Sequence, residues 1–207
     1  MAELHYTLVA DGSSEEVLVP ILSWLLRQVF PQHVFAAQFA DTRHHRLSDN
    51  SLQNRLSVAL DRYPCNLLFV HRDAENRPPQ LRYEEINTAL QSISSAPPAV
   101  CVMPIRMTEA WLLFNESALR QAAGNPNGQR KVELVPLAQV EQHPDPKKHL
   151  YKQLEEASEL SGRRLKDFRK RLPQCVHRLA TLIDDFTPLR QLAAFQSLEN
   201  AVRLLAL

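Results

Sequence analysis

Two apolar runs in this chain close on acids. Residues 6 to 16 read YTLVADGSSEE and residues 67 to 75 read LLFVHRDAE. A magnesium or manganese ion takes oxygen ligands, often one or two carboxylates, with waters and phosphate oxygens completing the shell. Asp11 and Asp73 suit that chemistry, with Glu15 and Glu75 nearby in sequence. Each acid alone has an ordinary structural use, since Asp before Gly is a turn residue and Asp after a strand is a helix cap. The pairing favours the ion: in open α/β sheets, ligands bind outside the carboxyl ends of the strands.

Basic residues supply the second kind of chemistry. HPDPKK at 143 to 148 places Lys147 and Lys148 at an expected helix start beside Asp145. Cations there oppose the helix dipole, so they point to an anion held close by or to a solvated first turn. The densest basic run, RRLKDFRKR from Arg163 to Arg171, has six basic residues and one acid. Arg163, Arg164, Lys166, Arg169 and Lys170 could neutralise phosphates, with Phe168 free to stack on a base. The same run has Leu165, Phe168 and Leu172 at helical spacing, an inward stripe that leaves the basic face outward. His44 and His45 lack zinc-site spacing. Neither a P-loop nor a GxGxxG occurs, so ATP hydrolysis would have to come from a partner.

The elements that must position these residues follow from periodicity. Residues 4 to 10 read as a strand, and Ser13 with Glu16 reads as a capping box opening a long helix in which Pro20 sits awkwardly. Residues 33 to 40 are a second strand, 51 to 63 a helix, 66 to 71 a third strand. RPPQ at 77 to 80 reads as a turn, 81 to 93 as a helix and 99 to 105 as a fourth strand. This alternation predicts an α/β fold with a mainly parallel four-stranded sheet flanked by helices. Beyond Met107 the pattern is helical, with breaks at Pro173 and Pro188, so the division expected is a core over 1–107 and a helical C-terminal part over 108–207.

The 207 residues carry a net charge of +1, with 44% hydrophobic and 23% charged residues. This is an ordinary globular composition without overall bias toward nucleic acid, so any basic surface is local. Three cysteines, widely spaced and outside any CxxC pattern, argue against a disulfide framework and for a reducing cytoplasm. No apolar run approaches the roughly 20 residues needed to span a bilayer, so no membrane role is expected.

The order of ADGSSEE, LLFVHRDAE, MTEAWLLF and HPDPKKHL resembles the Toprim domain, and more narrowly the small Toprim-like proteins encoded beside ATPases in bacterial antiphage defence loci. The core resemblance covers about residues 4 to 105, and the narrower one extends to about residue 160. It implies that Asp11 stands where most Toprim proteins have a first-strand Glu, His71 and Asp73 at the two acids of a DxD motif, and Glu75 at the acid two residues on. It also implies that Glu109, with Trp111 two residues later, is a signature acid that binds metal or holds a basic residue. Asp11 is shorter than the usual Glu, and His71 is a poor magnesium ligand though acceptable for manganese. The activity implied is metal-dependent phosphodiester hydrolysis of DNA or RNA. Asp11, Asp73, Glu109 and Lys147 would be catalytic, and a separately encoded ABC-type ATPase would be the partner. The alternative is a Toprim-like sensor or scaffold without catalysis. The sequence leaves a homo-oligomer open.

Overall fold

In the computed structural model, residues 3–42, 49, 51–73 and 78–207 are described. Four strands, β1 (Glu3–Val9), β2 (Val34–Ala40), β3 (Leu67–His71) and β4 (Ala99–Val102), form one parallel sheet in the order β2-β1-β3-β4. Three helices connect them: α1 (Leu18–Val29), α2 (Leu52–Arg62) and α3 (Pro79–Gln91).

Side-chain alternation assigns the helices to faces, because successive strand residues point to opposite sides. Tyr6 and Phe69 share one face, meeting edge to face at 5.4 Å, and α1 covers them. The Tyr6 hydroxyl donates to the Val19 carbonyl at 3.0 Å and shares a hydrogen bond with Ser23 Oγ at 2.6 Å. Val9, Leu68 and Val70 point the other way and pack with Leu52, Leu56 and Ala59 of α2 and Ile86 and Ala89 of α3. The chain runs from β1 to one side of the sheet and returns across β1 to build the other. The adjacent carboxyl ends of β1 and β3 are therefore a topological switch point, where the following chain segments leave toward opposite faces.

Several local expectations shift. The segment after β1 is not one long helix: Ser13–Val17 winds as a 3-10 turn with Gly12, not Ser13, at its N-cap, and α1 begins only at Leu18. Pro20 thereby falls in the first turn of α1, where a missing N–H breaks no intrahelical bond. RPPQ likewise is not simply a turn, since Pro79 and Gln80 open α3. Ser51 caps α2 by accepting from the Asn54 backbone N–H at 3.2 Å.

The chain divides into two compact units, Met1–Met103 with Ser197–Leu207, and Pro104–Gln196. The second is helical: a 3-10 turn (Thr108–Leu112), α4 (Glu116–Ala122), α5 (Leu137–Val140), α6 (Pro146–Ser158), α7 (Gly162–Arg169), α8 (Leu172–Leu182) and a 3-10 turn (Thr187–Gln191). α9 (Ala193–Arg203) begins in the second unit and ends in the first. Trp111 is fully buried and packs edge to face on Phe195 at 5.4 Å, a core role. Among the described residues, no helix is long and apolar enough to cross a membrane.

Candidate metal centre at the sheet switch point

His71 is the last residue of β3 and shares the parity of Phe69, so it points to the α1 side of the sheet. There the 3-10 turn after β1 brings Glu15 over it, and the chain leaving β3 brings Asp73 alongside. His71 Nε2 lies 3.4 Å from Asp73 Oδ1 and 3.8 Å from Glu15 Oε2. One ligand atom from each of Glu15, His71 and Asp73 falls within 4.8 Å of the others. The histidine is 1% exposed, Glu15 13% and Asp73 40%, so the group opens to solvent through Asp73. Asp73 Oδ1 is itself buried and accepts no hydrogen bond among the described residues.

These distances suit one ion. Two ligands held at roughly 2.1 Å from a small divalent cation are at most about 4.2 Å apart, which both histidine distances meet. The remaining pair, Glu15 and Asp73, lies within 4.8 Å. One imidazole with two carboxylates is a mixed donor set, better matched to manganese or a borderline transition ion than to magnesium.

Asp11 stands on the same rim but outside this group. Its Oδ1 accepts hydrogen bonds from Arg55 Nη1 on α2 and from Arg72 Nη1, the latter at 3.2 Å. Arg72 alternates away from His71, and its Nη2 lies 3.3 Å from Glu85 Oε1 on α3. The rim thus carries two clusters: carboxylates around an imidazole on the α1 side, and arginines around Asp11 on the other. Sequence spacing pointed to Asp11, Glu15 and Asp73, and the first-strand acid is the one drawn off by cations. Arg55 and Arg72 were not singled out. A signal existed in Arg72, which directly precedes Asp73, whereas Arg55 becomes relevant only through the packing of α2. Glu75, with His44 and His45, lies outside the described residues.

The second unit holds the other expected residues. Glu109, nearly buried, pairs with Lys147 Nζ at 3.1 Å, so within this unit the acid holds a basic residue in place. Asp145 caps α6 by accepting from the Lys148 backbone N–H at 2.9 Å. Lys147, Lys148 and Lys152, with His143, His149 and Tyr151, line a cleft of about 810 Å³. Arg163, Arg164, Lys166, Arg169 and Lys170 are all exposed, while Phe168 is buried and Leu165 half-buried. Phe168 cannot stack on a base, since its ring belongs to the core. Two of the basic residues already have acidic partners: Arg169 donates to both Glu155 carboxylate oxygens at 3.0 and 2.7 Å, and Lys170 to Asp167 at 3.0 Å.

Cysteine chemistry is a poor alternative. Cys65, Cys101 and Cys175 are free thiols, and burial pushes the Cys101 thiol up to about 11 and raises the other two. At neutral pH none is a ready thiolate nucleophile. Comparisons of the chain with protein-family models, curated proteins and solved structures found no match.

Proposed function

We propose that this protein is a divalent-metal-dependent nuclease, with Glu15, His71 and Asp73 holding the ion. The observation that carries the reading is the convergence of two carboxylates and an imidazole at the β1/β3 switch point of a parallel sheet. Bound there, a divalent cation would polarise a phosphoryl oxygen and lower the pKa of a coordinated water. The chain's own residues define the rest. His71, locked by burial, fixes the orientation of the donor set, and Asp73, the most exposed member, faces the solvent from which a phosphodiester arrives. The exposed basic face of α7 supplies local positive charge for a polyanion, in a molecule whose net charge supplies none. Resemblance in motif order supports DNA or RNA as substrate and an ABC-type ATPase as partner.

A second reading, a non-catalytic Toprim-like sensor or scaffold, is favoured by one specific observation. Asp11, the first-strand acid, is occupied by Arg55 and Arg72 instead of joining the metal group. Cleavage of plasmid DNA and transfer RNA with manganese separates the two, measured with and without a candidate ATPase. The nuclease reading expects activity lost in Asp73→Ala and retained in Asp61→Ala, a change at an exposed position on α2. No cleavage under any divalent metal, with partner binding intact, would establish the scaffold instead.

A further inference from the structure

Arg55 and Arg72 come from different elements, α2 and the end of β3, yet both donate to the same oxygen, Asp11 Oδ1. Their side chains are only 19% and 16% exposed, whereas Asp11 is 45% exposed. Arg72 continues to Glu85, which also receives Arg82 Nη1 at 2.9 Å, so Arg72 bridges the carboxylates of Asp11 and Glu85. Arg72 Nε is buried and donates to no described group. Sequestering guanidiniums costs desolvation that a half-exposed carboxylate repays poorly, which makes fold stability a weak reason for the arrangement. Two guanidiniums, each giving one N–H to the same anionic oxygen, form a donor pair suited to a phosphate oxygen. The clamp and the metal group share the rim at the end of β3, where Arg72 stands between His71 and Asp73 in the chain and turns to the opposite face.

We propose that Arg55 and Arg72 form a phosphate clamp for a nucleic-acid phosphodiester, and that Asp11 is its internal stand-in, displaced when the phosphate binds. The inference rests on the nuclease reading for the identity of its ligand. A phosphodiester oxygen replacing Asp11 Oδ1 would be held by both guanidiniums on the rim that also carries the Glu15/His71/Asp73 group. The displaced carboxylate, free of its cations, is on the same rim. In the ligand-free protein, Asp11 therefore competes with substrate, and its charge sets the cost of entry.

The decisive experiment uses the full chain without divalent metal and follows fluorescence anisotropy of short labelled single-stranded DNA and RNA of one sequence. Asp11→Asn keeps the size and removes the charge, and is expected to tighten binding by about tenfold, as expected for losing a charged hydrogen-bonding competitor. Arg55→Gln and Arg72→Gln are expected to weaken it by a similar factor, and in the Arg55→Gln background Asp11→Asn should tighten binding less. Thermal melting of each variant identifies misfolding, and Arg55→Lys provides a charge-preserving control that loses the fork. The clamp is overturned if Asp11→Asn weakens or does not change binding, or if the folded wild type binds neither oligonucleotide. Calorimetric titration of manganese into the same proteins separates the two ideas. Tightening by Asp11→Asn without manganese binding upholds the clamp and removes the metal centre; manganese binding without tightening does the reverse.

Discussion

At the scale of single residues, this sheet edge is sorted by which charge meets which. Asp11 and Asp73 follow neighbouring strands, but a one-residue change of direction decides their company: His71 turns toward Glu15, Arg72 toward Asp11 and Glu85. Residue-level constraint is also clear at Gly128 in the loop after α4. A Cβ added there would lie 2.5 Å from Asn125 Nδ2, 2.9 Å from Glu159 Oε1 and 3.1 Å from Arg120 Nη1. The first two of those atoms are committed, since Asn125 donates to the Ala157 carbonyl and Glu159 accepts the Gln129 and Arg130 backbone N–H groups. The same two amides hold the Glu159 carboxyl below the usual range. Gly128→Ala is expected to destabilise folding by about 1–3 kcal/mol in urea denaturation, the usual cost of overpacking combined with disturbed hydrogen bonds.

At the scale of elements, β1 and α1 are tied by the buried Tyr6 hydroxyl. Burial pushes Tyr6 up to about 12, against about 10 in an unfolded chain. The folded state therefore keeps a proton that the unfolded state gives up. The stabilisation is complete below pH 10 and is lost as pH rises toward 12, by roughly 2–3 kcal/mol. Tyr6→Phe should flatten the alkaline fall in stability between those limits, at the expense of the hydroxyl's hydrogen bonds at neutral pH. In α7, Phe168→Ala is expected to cost about 3–5 kcal/mol as a core truncation. Arg163→Glu with Arg164→Glu should leave stability within about 0.5 kcal/mol per site and weaken any oligonucleotide binding. The same anisotropy and denaturation measurements check both.

Element types were legible in the sequence because burial writes its period into it: four apolar runs became four parallel strands, and of the stripe Leu165, Phe168 and Leu172 the last two are buried, though Phe168 lies in α7 and Leu172 opens α8. Their ends were less legible. Pro20 and Pro79 read as disruptive by spacing, yet the first turns of α1 and α3 begin just before or at them, where proline is tolerated. Candidate acids were legible as strand ends, but their partners were not. The Arg55 pairing spans 44 positions and exists only because α2 lies against the sheet, a fact no local spacing encodes.

At the scale of the whole molecule, the first unit gathers its chemistry at the point where the sheet reverses its winding, and the second pairs Glu109 with Lys147 and exposes the basic face of α7. The central claim is that Glu15, His71 and Asp73 hold one divalent cation. Pulsed electron paramagnetic resonance of manganese bound to the full chain reads this directly, because an imidazole ligand couples its nitrogen to the metal electrons. One bound manganese with nitrogen modulation is expected, with the modulation lost in His71→Asp and binding weakened at least tenfold in Asp73→Ala. Manganese bound without nitrogen coupling, or with an affinity indifferent to both Glu15→Ala and Asp73→Ala, would contradict the account.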